Sequence, residues 1–147
     1  MYIVSACLAG VNCKYSGRNN ENKNVIELVR QGKAIPICPE QLGGLPTPRA
    51  CCEIVMSEEG NKKVISKDGH DYTKEFMEGA EKTLEIAKII GADKAILQPR
   101  SPSCGCGLIY DGTFSGNLVK GNGLTAERLL QNGIKVYMDT DFDDFLI

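Results

Sequence analysis

Residues 94–107 read KAILQPRSPSCGCG, and the point where this stretch changes character decides the fold. Lys94–Gln98 is a short apolar run with no clean polar alternation, the pattern of a strand buried on both faces. It gives way to a Gly-rich loop in which Cys104 and Cys106 stand one residue apart, behind two serines and a proline. By itself such a loop suits a disulfide, a metal, a reactive thiol or a plain turn.

Three more runs share the strand character: Tyr2–Ala6, Ala34–Ile37 and Lys135–Met138. Helical segments lie between them. Asn22–Arg30 carries Val25, Leu28 and Val29 and stops before Gly32. Tyr72–Ile90 places Phe76, Ala80, Leu84 and Ala87 at three- and four-residue steps, with Asp71 or Thr73 as its cap and Gly91 as its stop. A last helix is expected from a cap at Thr125 to about Gln131, closed by Gly133. Glu53–Ser66 predicts a small hairpin turning at Glu59-Gly60-Asn61. Alternation of this kind implies a single α/β domain over residues 1–147. Its expected form is a small, mainly parallel, Rossmann-like sheet of about four strands, with helices on both faces and a hairpin insertion near 53–66. The acidic tail, residues 139–147, is expected to hold a short helix or to fray.

The chain has 147 residues, 42% hydrophobic and 24% charged, enough for one domain to bury a core without staples. A net charge of −2 argues against a general affinity for nucleic acid or anionic membrane. No apolar run approaches the ~18 residues of a membrane helix, and MYIVSACLAG has no basic leader, so a cytoplasmic protein is expected. The oligomeric state is not legible. In a reducing compartment the seven cysteines, an odd number, are core fillers, metal ligands or reactive thiols rather than a set of disulfides.

Their placement narrows this. Cys7 follows the first strand, Cys38 the second, and Cys104 lies in the loop after the third. In an open α/β sheet, ligand sites form at the carboxyl ends of the strands. Core filling does not predict this placement, and none of the seven falls in a predicted helix. Gly10, Gly17, Gly43, Gly44, Gly105 and Gly107 flank these segments. They serve as turn formers, or as a shell of exposed amides around anionic sulfur. Structural zinc favours paired Cys-x-x-Cys, which the chain lacks, and catalytic zinc usually includes histidine. The one histidine, His70, sits before the long helix and reads as a surface residue. Three thiolates without histidine better suit a four-iron cluster with one iron left open as a Lewis acid.

The segments SACLAGVNCKYSG, ICPEQLGGLPTPR, RSPSCGCGLIYDGTFSG and GNGLTAERLLQNGI together resemble those of the thiouracil desulfidases, a family long catalogued only as a domain of unknown function. The resemblance covers nearly the whole chain. It implies a [4Fe-4S] cluster held by Cys7, Cys38 and Cys104, with the fourth iron free to take the sulfur of a thiolated pyrimidine. It also implies a catalytic glutamate at Glu40, an active-site serine at Ser101, and hydrolytic release of hydrogen sulfide. The implied partner is a small thiolated nucleobase or related thio-compound. Two positions depart from the family's pattern, ACCEI after Arg49 and Gln98 where lysine is common, and neither falls on an implied ligand.

The chemistry is consistent with these residues. A soft thiocarbonyl sulfur prefers thiolate-ligated iron to a hard cation. Glu40, two residues beyond Cys38, can take a proton from an attacking water and return one to the departing sulfur. Ser101 can hydrogen-bond the substrate or the water. Plainer roles exist for each: Glu40 suits the first turn of a short helix, and Ser101 and Ser103 suit a turn. Tyr110 and Asp111 either line a pocket or form a turn. Cys13 and Cys106 are extra thiols near the site or packing residues. Cys51 and Cys52 point to opposite faces of an extended segment and have no assigned purpose. GNGLTAE partly imitates a phosphate loop without following a predicted strand. Two alternatives stand beside the enzyme: a cysteine-based redox or metal sensor, and a zinc-binding protein.

Overall fold

All four apolar runs become strands of one sheet. Tyr2–Ser5 and Lys94–Leu97, at its centre, are buried on both faces as expected. Ala34–Ile37 and Lys135–Met138, at its edges, leave residues exposed, Ile35 among them. The computed structural model describes residues 1–141. In chain order, β1 (Tyr2–Ser5) runs into a 3-10 turn (Ala6–Ala9) and is followed by α1 (Lys23–Arg30), β2 (Ala34–Ile37) and a short α2 (Pro39–Leu42). A hairpin of β3 (Cys52–Met56) and β4 (Lys62–Ser66) precedes the long α3 (Thr73–Ile90) and β5 (Lys94–Leu97). A second hairpin of β6 (Leu108–Tyr110) and β7 (Leu118–Lys120) leads to α4 (Leu124–Gln131) and β8 (Lys135–Met138).

The main sheet has the order β2-β1-β5-β8, parallel throughout, with Ile3 opposite both Ile35 and Ala95. Side chains alternate across it. Ile3, Ala95 and Leu97 pack with Leu84 and Ala87 of α3 and Leu129 of α4. Val4 and Ile96 point the other way, into a cluster with Val25 and Leu28 of α1. Pro36 sits in β2, an edge strand, where its missing N–H disrupts no interior ladder. The first hairpin rests on α3 through Ile54, Val64 and Phe76. From β1 the chain crosses to β2 on one side and later reaches β5 on the other. This reversal opens a crevice at the carboxyl ends of β1 and β5.

Local signals set most helix ends. The Asn22 side chain accepts from the amides of Asn24 and Val25 and caps α1. At the start of α3 the cap position falls on Tyr72, which makes no side-chain capping bond, rather than on Asp71 or Thr73. Asp71 Oδ1 accepts from the Thr73 amide at 2.8 Å just ahead of it, and Gly91 closes that helix with a φ of 67°. Strand ends at Ala6 and Gln98 fall one residue short of expectation. Three differences are larger. Thr125 does not cap α4: Gly123 is the cap, and the Thr125 hydroxyl is buried without a hydrogen-bond partner among the described residues. The second hairpin was not foreseen, because its strands are only three residues long and β7 is exposed throughout. That hairpin also overturns the expectation that GNGLTAE follows no strand, since β7 ends at Lys120. Residues 139–141 form a 3-10 turn; the rest of the expected tail element lies outside the described residues. Among those residues no helix is long and apolar enough to cross a membrane.

Candidate metal centre

A cavity of about 600 Å³ lies at the carboxyl ends of β1, β2 and β5, and Cys7, Cys38, Cys104, Glu40 and Ser101 all line it. All seven cysteines are free thiols. Cys7 stands in the 3-10 turn directly after β1, and its thiol donates to Gln98 Oε1 at 3.7 Å. The Gln98 amide is tied in turn to Ser5 Oγ at 2.9 Å. The departure at Gln98 therefore does bear on a candidate ligand.

Cys38 is the N-cap residue of α2, with Pro39 preset for the first helical position. Glu40 follows in the first turn, so its expected helical role holds alongside its place on the cavity wall. What seats α2 is a crossing with α3 too close for side chains. A Cβ on Gly43 would lie 2.0 Å from Glu75 O, and one on Gly79 would lie 2.0 Å from Pro39 O. Cys104 is placed by α4. The free amides of that helix's first turn donate to the Cys104 loop, Leu124 to Pro102 O and Thr125 to Ser103 O, both at 2.9 Å. A Cβ on Gly123 would stand 2.5 Å from Ser103 O. Gly123 of GNGLTAE thus allows helix and cysteine loop to touch, and the Ser103 carbonyl occupies the place a phosphate would take.

Glu40 is held from two sides. Arg49 Nε donates to its Oε1 at 3.0 Å, and Ser103 Oγ donates to its Oε2 at 2.8 Å. The Arg49 side chain is only 5% exposed and the Glu40 side chain 15%. Arg49 spends its other donors on Cys13 O at 2.8 Å and Thr47 Oγ1 at 2.9 Å, and its Nη2 lies 3.8 Å from Cys38 Sγ. Ser101 serves the loop itself, its hydroxyl accepting from the Cys104 amide at 2.8 Å and lying 3.4 Å from Ser103 Oγ. Arg49 and Ser103 received no catalytic role from sequence. The only trace of the clamp was an arginine nine residues beyond Glu40, a spacing that predicts no contact by itself.

Burial shapes the thiols. Cys104 is pushed up to about 12 by desolvation, against the pull of hydrogen bonds with Ser5 and Ser103. The Cys38 thiol is raised by its hydrogen bond with Cys13 and by burial. Cys13 bonds both Cys38 and Cys7. The Cys38 bond lowers it, but the Cys7 bond, burial and the Cys7 charge prevail, to about 11. Cys52 rises to about 12 through burial and the nearby Glu40 charge. Cys51 is exposed and Cys52 buried, the opposite orientations expected of neighbours on an extended segment. Tyr110 lines the cavity, whereas Asp111 accepts from Thr113 in a turn. Cys106 packs against the core under α3 and α4. His70 is exposed and packs against Tyr72 with ring centres 4.4 Å apart and the rings tilted by 43°.

Among the described residues, no three His, Cys, Asp or Glu side chains meet closely enough to hold one metal ion. The three strand-end thiols are instead spread round a cavity, as a polynuclear group requires when its own atoms fill the centre. All three are soft sulfur donors, and the nearby Glu40 carboxylate is already engaged by Arg49 and Ser103. The residues therefore fit an iron–sulfur cluster better than a single ion.

A sequence family described as 2-thiouracil desulfurase matches residues 2–141. Among curated relatives, the uncharacterized protein YbbK of Bacillus subtilis (strain 168) is 43% identical over 151 residues, spanning 99% of this chain and 100% of its own. Among solved structures, the [4Fe-4S]-dependent thiouracil desulfidase TudS superposes with a TM-score of 0.89 at 37% identity. That alignment covers 99% of this chain and 94% of TudS. Matched through every strand of its parallel sheet and all three of its cysteine loops, the chain belongs to the 2-thiouracil desulfurase family.

Proposed function

We propose that this protein is a cytoplasmic [4Fe-4S]-dependent desulfidase that hydrolyses a thiolated pyrimidine such as thiouracil to the oxo-pyrimidine and hydrogen sulfide. The observation that carries this reading is a clamped carboxylate, Glu40 between Arg49 and Ser103, on the wall of a cavity ringed by three strand-end thiols. Cys7, Cys38 and Cys104 would hold the cluster. When bound, it supplies a soft Lewis acid, at the iron without a thiolate, that favours thiocarbonyl sulfur.

The chain's own groups handle water and protons. A carboxylate offers about four lone-pair sites, of which Arg49 and Ser103 take two, one on each oxygen. Glu40 can therefore still accept a hydrogen bond from a water and remove its proton as the oxygen attacks the ring carbon. The carbon–sulfur bond then breaks as the added hydroxyl becomes the oxo group and gives up its proton. That proton and the one returned by the Glu40 carboxyl both go to the departing sulfur. Water enters, hydrogen sulfide leaves, and no electron is transferred. Arg49 fixes the direction of the carboxylate, and Ser101 supports the hydroxyl of Ser103 and the amide of Cys104.

The test is anaerobic reconstitution followed by iron and sulfide assay, then decay of the thione absorbance of 4-thiouracil. Cys7→Ser, Cys38→Ser and Cys104→Ser should each lose iron. Glu40→Ala should keep iron and lose turnover. Wild-type protein that takes up no iron, or that takes it up and leaves 4-thiouracil intact, overturns the proposal.

A further inference from the structure

Glu53 has no part in the chemistry described above, yet it is a buried carboxylate, 5% exposed, that makes no salt bridge among the described residues. Burying such a group is costly unless hydrogen bonds replace its water. Its Oε1 accepts two, from the amides of Gly112 at 2.9 Å and Phe114 at 3.2 Å. Both amides belong to the loop joining β6 to β7. The loop is braced further where Asp111 Oδ1 accepts from the Thr113 amide at 2.9 Å. It also presses on β3 so closely that a Cβ on Gly112 would lie 2.7 Å from Ile54 O.

What this bracing holds is Phe114. Its φ is 57°, in the left-handed region that a bulky residue occupies only when its surroundings impose it. The ring joins none of the three core clusters. It lines the cavity that also holds Glu40 and the candidate ligand thiols. A strained aromatic that contributes nothing to the core, held by a buried carboxylate at a cavity wall, fits the binding of a flat partner. A pyrimidine ring needs such an apolar face, because its edges satisfy hydrogen bonds while its faces do not.

We propose that Phe114 is a specificity-determining wall on which the substrate ring stacks, and that Glu53 is the positioning residue that holds it there. This rests on the desulfidase reading. Stacking recognises the face of a ring and not its exocyclic sulfur, so the wall acts alike on thiouracil and on uracil. Uracil thereby probes the wall without any chemistry.

The experiment measures KM and kcat for 4-thiouracil, calorimetric affinity for uracil, iron per chain and thermal midpoint on cluster-loaded protein. Phe114→Ala should raise KM and weaken uracil binding about tenfold, with kcat and iron content held. Phe114→Tyr keeps the ring and should match wild type. Phe114→Gly should lose binding like Phe114→Ala yet melt no lower than wild type, because glycine accepts the positive φ. Glu53→Ala should raise KM similarly and add little to Phe114→Ala in the double variant, since both act through one wall. If Glu53→Ala does not fold, Glu53→Gln keeps a weaker neutral acceptor and should raise KM about threefold. Unchanged uracil affinity in Phe114→Ala, or Glu53 and Phe114 effects that multiply, overturns this inference while wild-type turnover keeps the desulfidase reading. A loaded wild type that neither binds uracil nor consumes 4-thiouracil overturns both.

Discussion

Replacing Gly79 by alanine sets two physical effects against each other. Gly79 lies within α3, where alanine is favoured over glycine by about 1 kcal/mol. The helix crossing predicts the opposite sign. The added Cβ would stand 2.0 Å from Pro39 O, whereas ordinary contact begins near 3.4 Å, so α2 and α3 must separate by about 1.4 Å. The obstacle is backbone, and no rotamer can relieve it. Overpacking of this kind costs about 1–3 kcal/mol, and we place this case at the upper end. The contact of Lys82 Nζ with Leu42 O at 3.2 Å crosses the same interface and is strained by the same movement. Packing should win by roughly 1–2 kcal/mol, lowering the thermal midpoint by about 3–6 °C for a chain of this size. Because α2 carries Cys38 and Glu40, the movement also displaces both from Cys7 and Cys104. A misplacement near 1 Å can cost on the order of 100-fold in rate. Thermal melting, iron per chain after anaerobic reconstitution and thione decay read the three consequences. A Gly79→Ala protein that melts at or above wild type, with full iron and full turnover, refutes the idea that this crossing seats the site.

Arg49→Gln leaves the Glu40 carboxylate without its guanidinium and should cost about 3 kcal/mol in urea unfolding, with Arg49→Lys a poor substitute for a planar fork; a loss under about 1 kcal/mol denies the clamp. Ser103→Ala should reduce kcat at least tenfold with little change in melting, whereas Ser101→Ala should cost about 1 kcal/mol of stability by freeing the Cys104 amide. Equal behaviour of the two serine variants in both assays would contradict that division. Asp71→Ala removes an acceptor from the start of α3 and should cost about 1 kcal/mol near neutral pH. The bonds from the Thr73 hydroxyl and then its amide hold the Asp71 carboxyl below its usual 3.8. A depressed carboxylate stabilises above its unfolded value and loses that contribution as pH falls through its folded one. Wild type and Asp71→Ala should therefore converge below pH 3.8, and a urea-midpoint gap at pH 3 as wide as at pH 7 rules out a stabilising bond from Thr73 to the ionised form.

The strands and the ends of α1 and α3 were legible because they depend on neighbours within a few residues. Val25, Leu28 and Leu84 mark helix faces whatever they pack against, and Asn22, Asp71 and Gly91 act on amides and carbonyls beside them. The second hairpin was not legible, since β6 and β7 carry too few residues for a period and β7 has no buried face. Thr125 misled because a hydroxyl near a helix start resembles a cap, while the true partners of those amides are carbonyls in another loop.

For the site, chain order alone placed Cys7, Cys38 and Cys104 together. Short apolar strands alternating with helices favour parallel pairing, and parallel strands bring their carboxyl ends to one edge. What touches those cysteines was settled by tertiary structure. Gln98 meets Cys7 across 91 residues of chain, and Ser103 meets Glu40 across 63. No local period carries such pairings: the first follows from the pairing of β1 with β5, and the second from how α2 and the loop held by α4 pack. Composition and order determined where sulfur gathers. The glycine crossing under α2 and the amides of α4 decided which carboxylate and which serine face it.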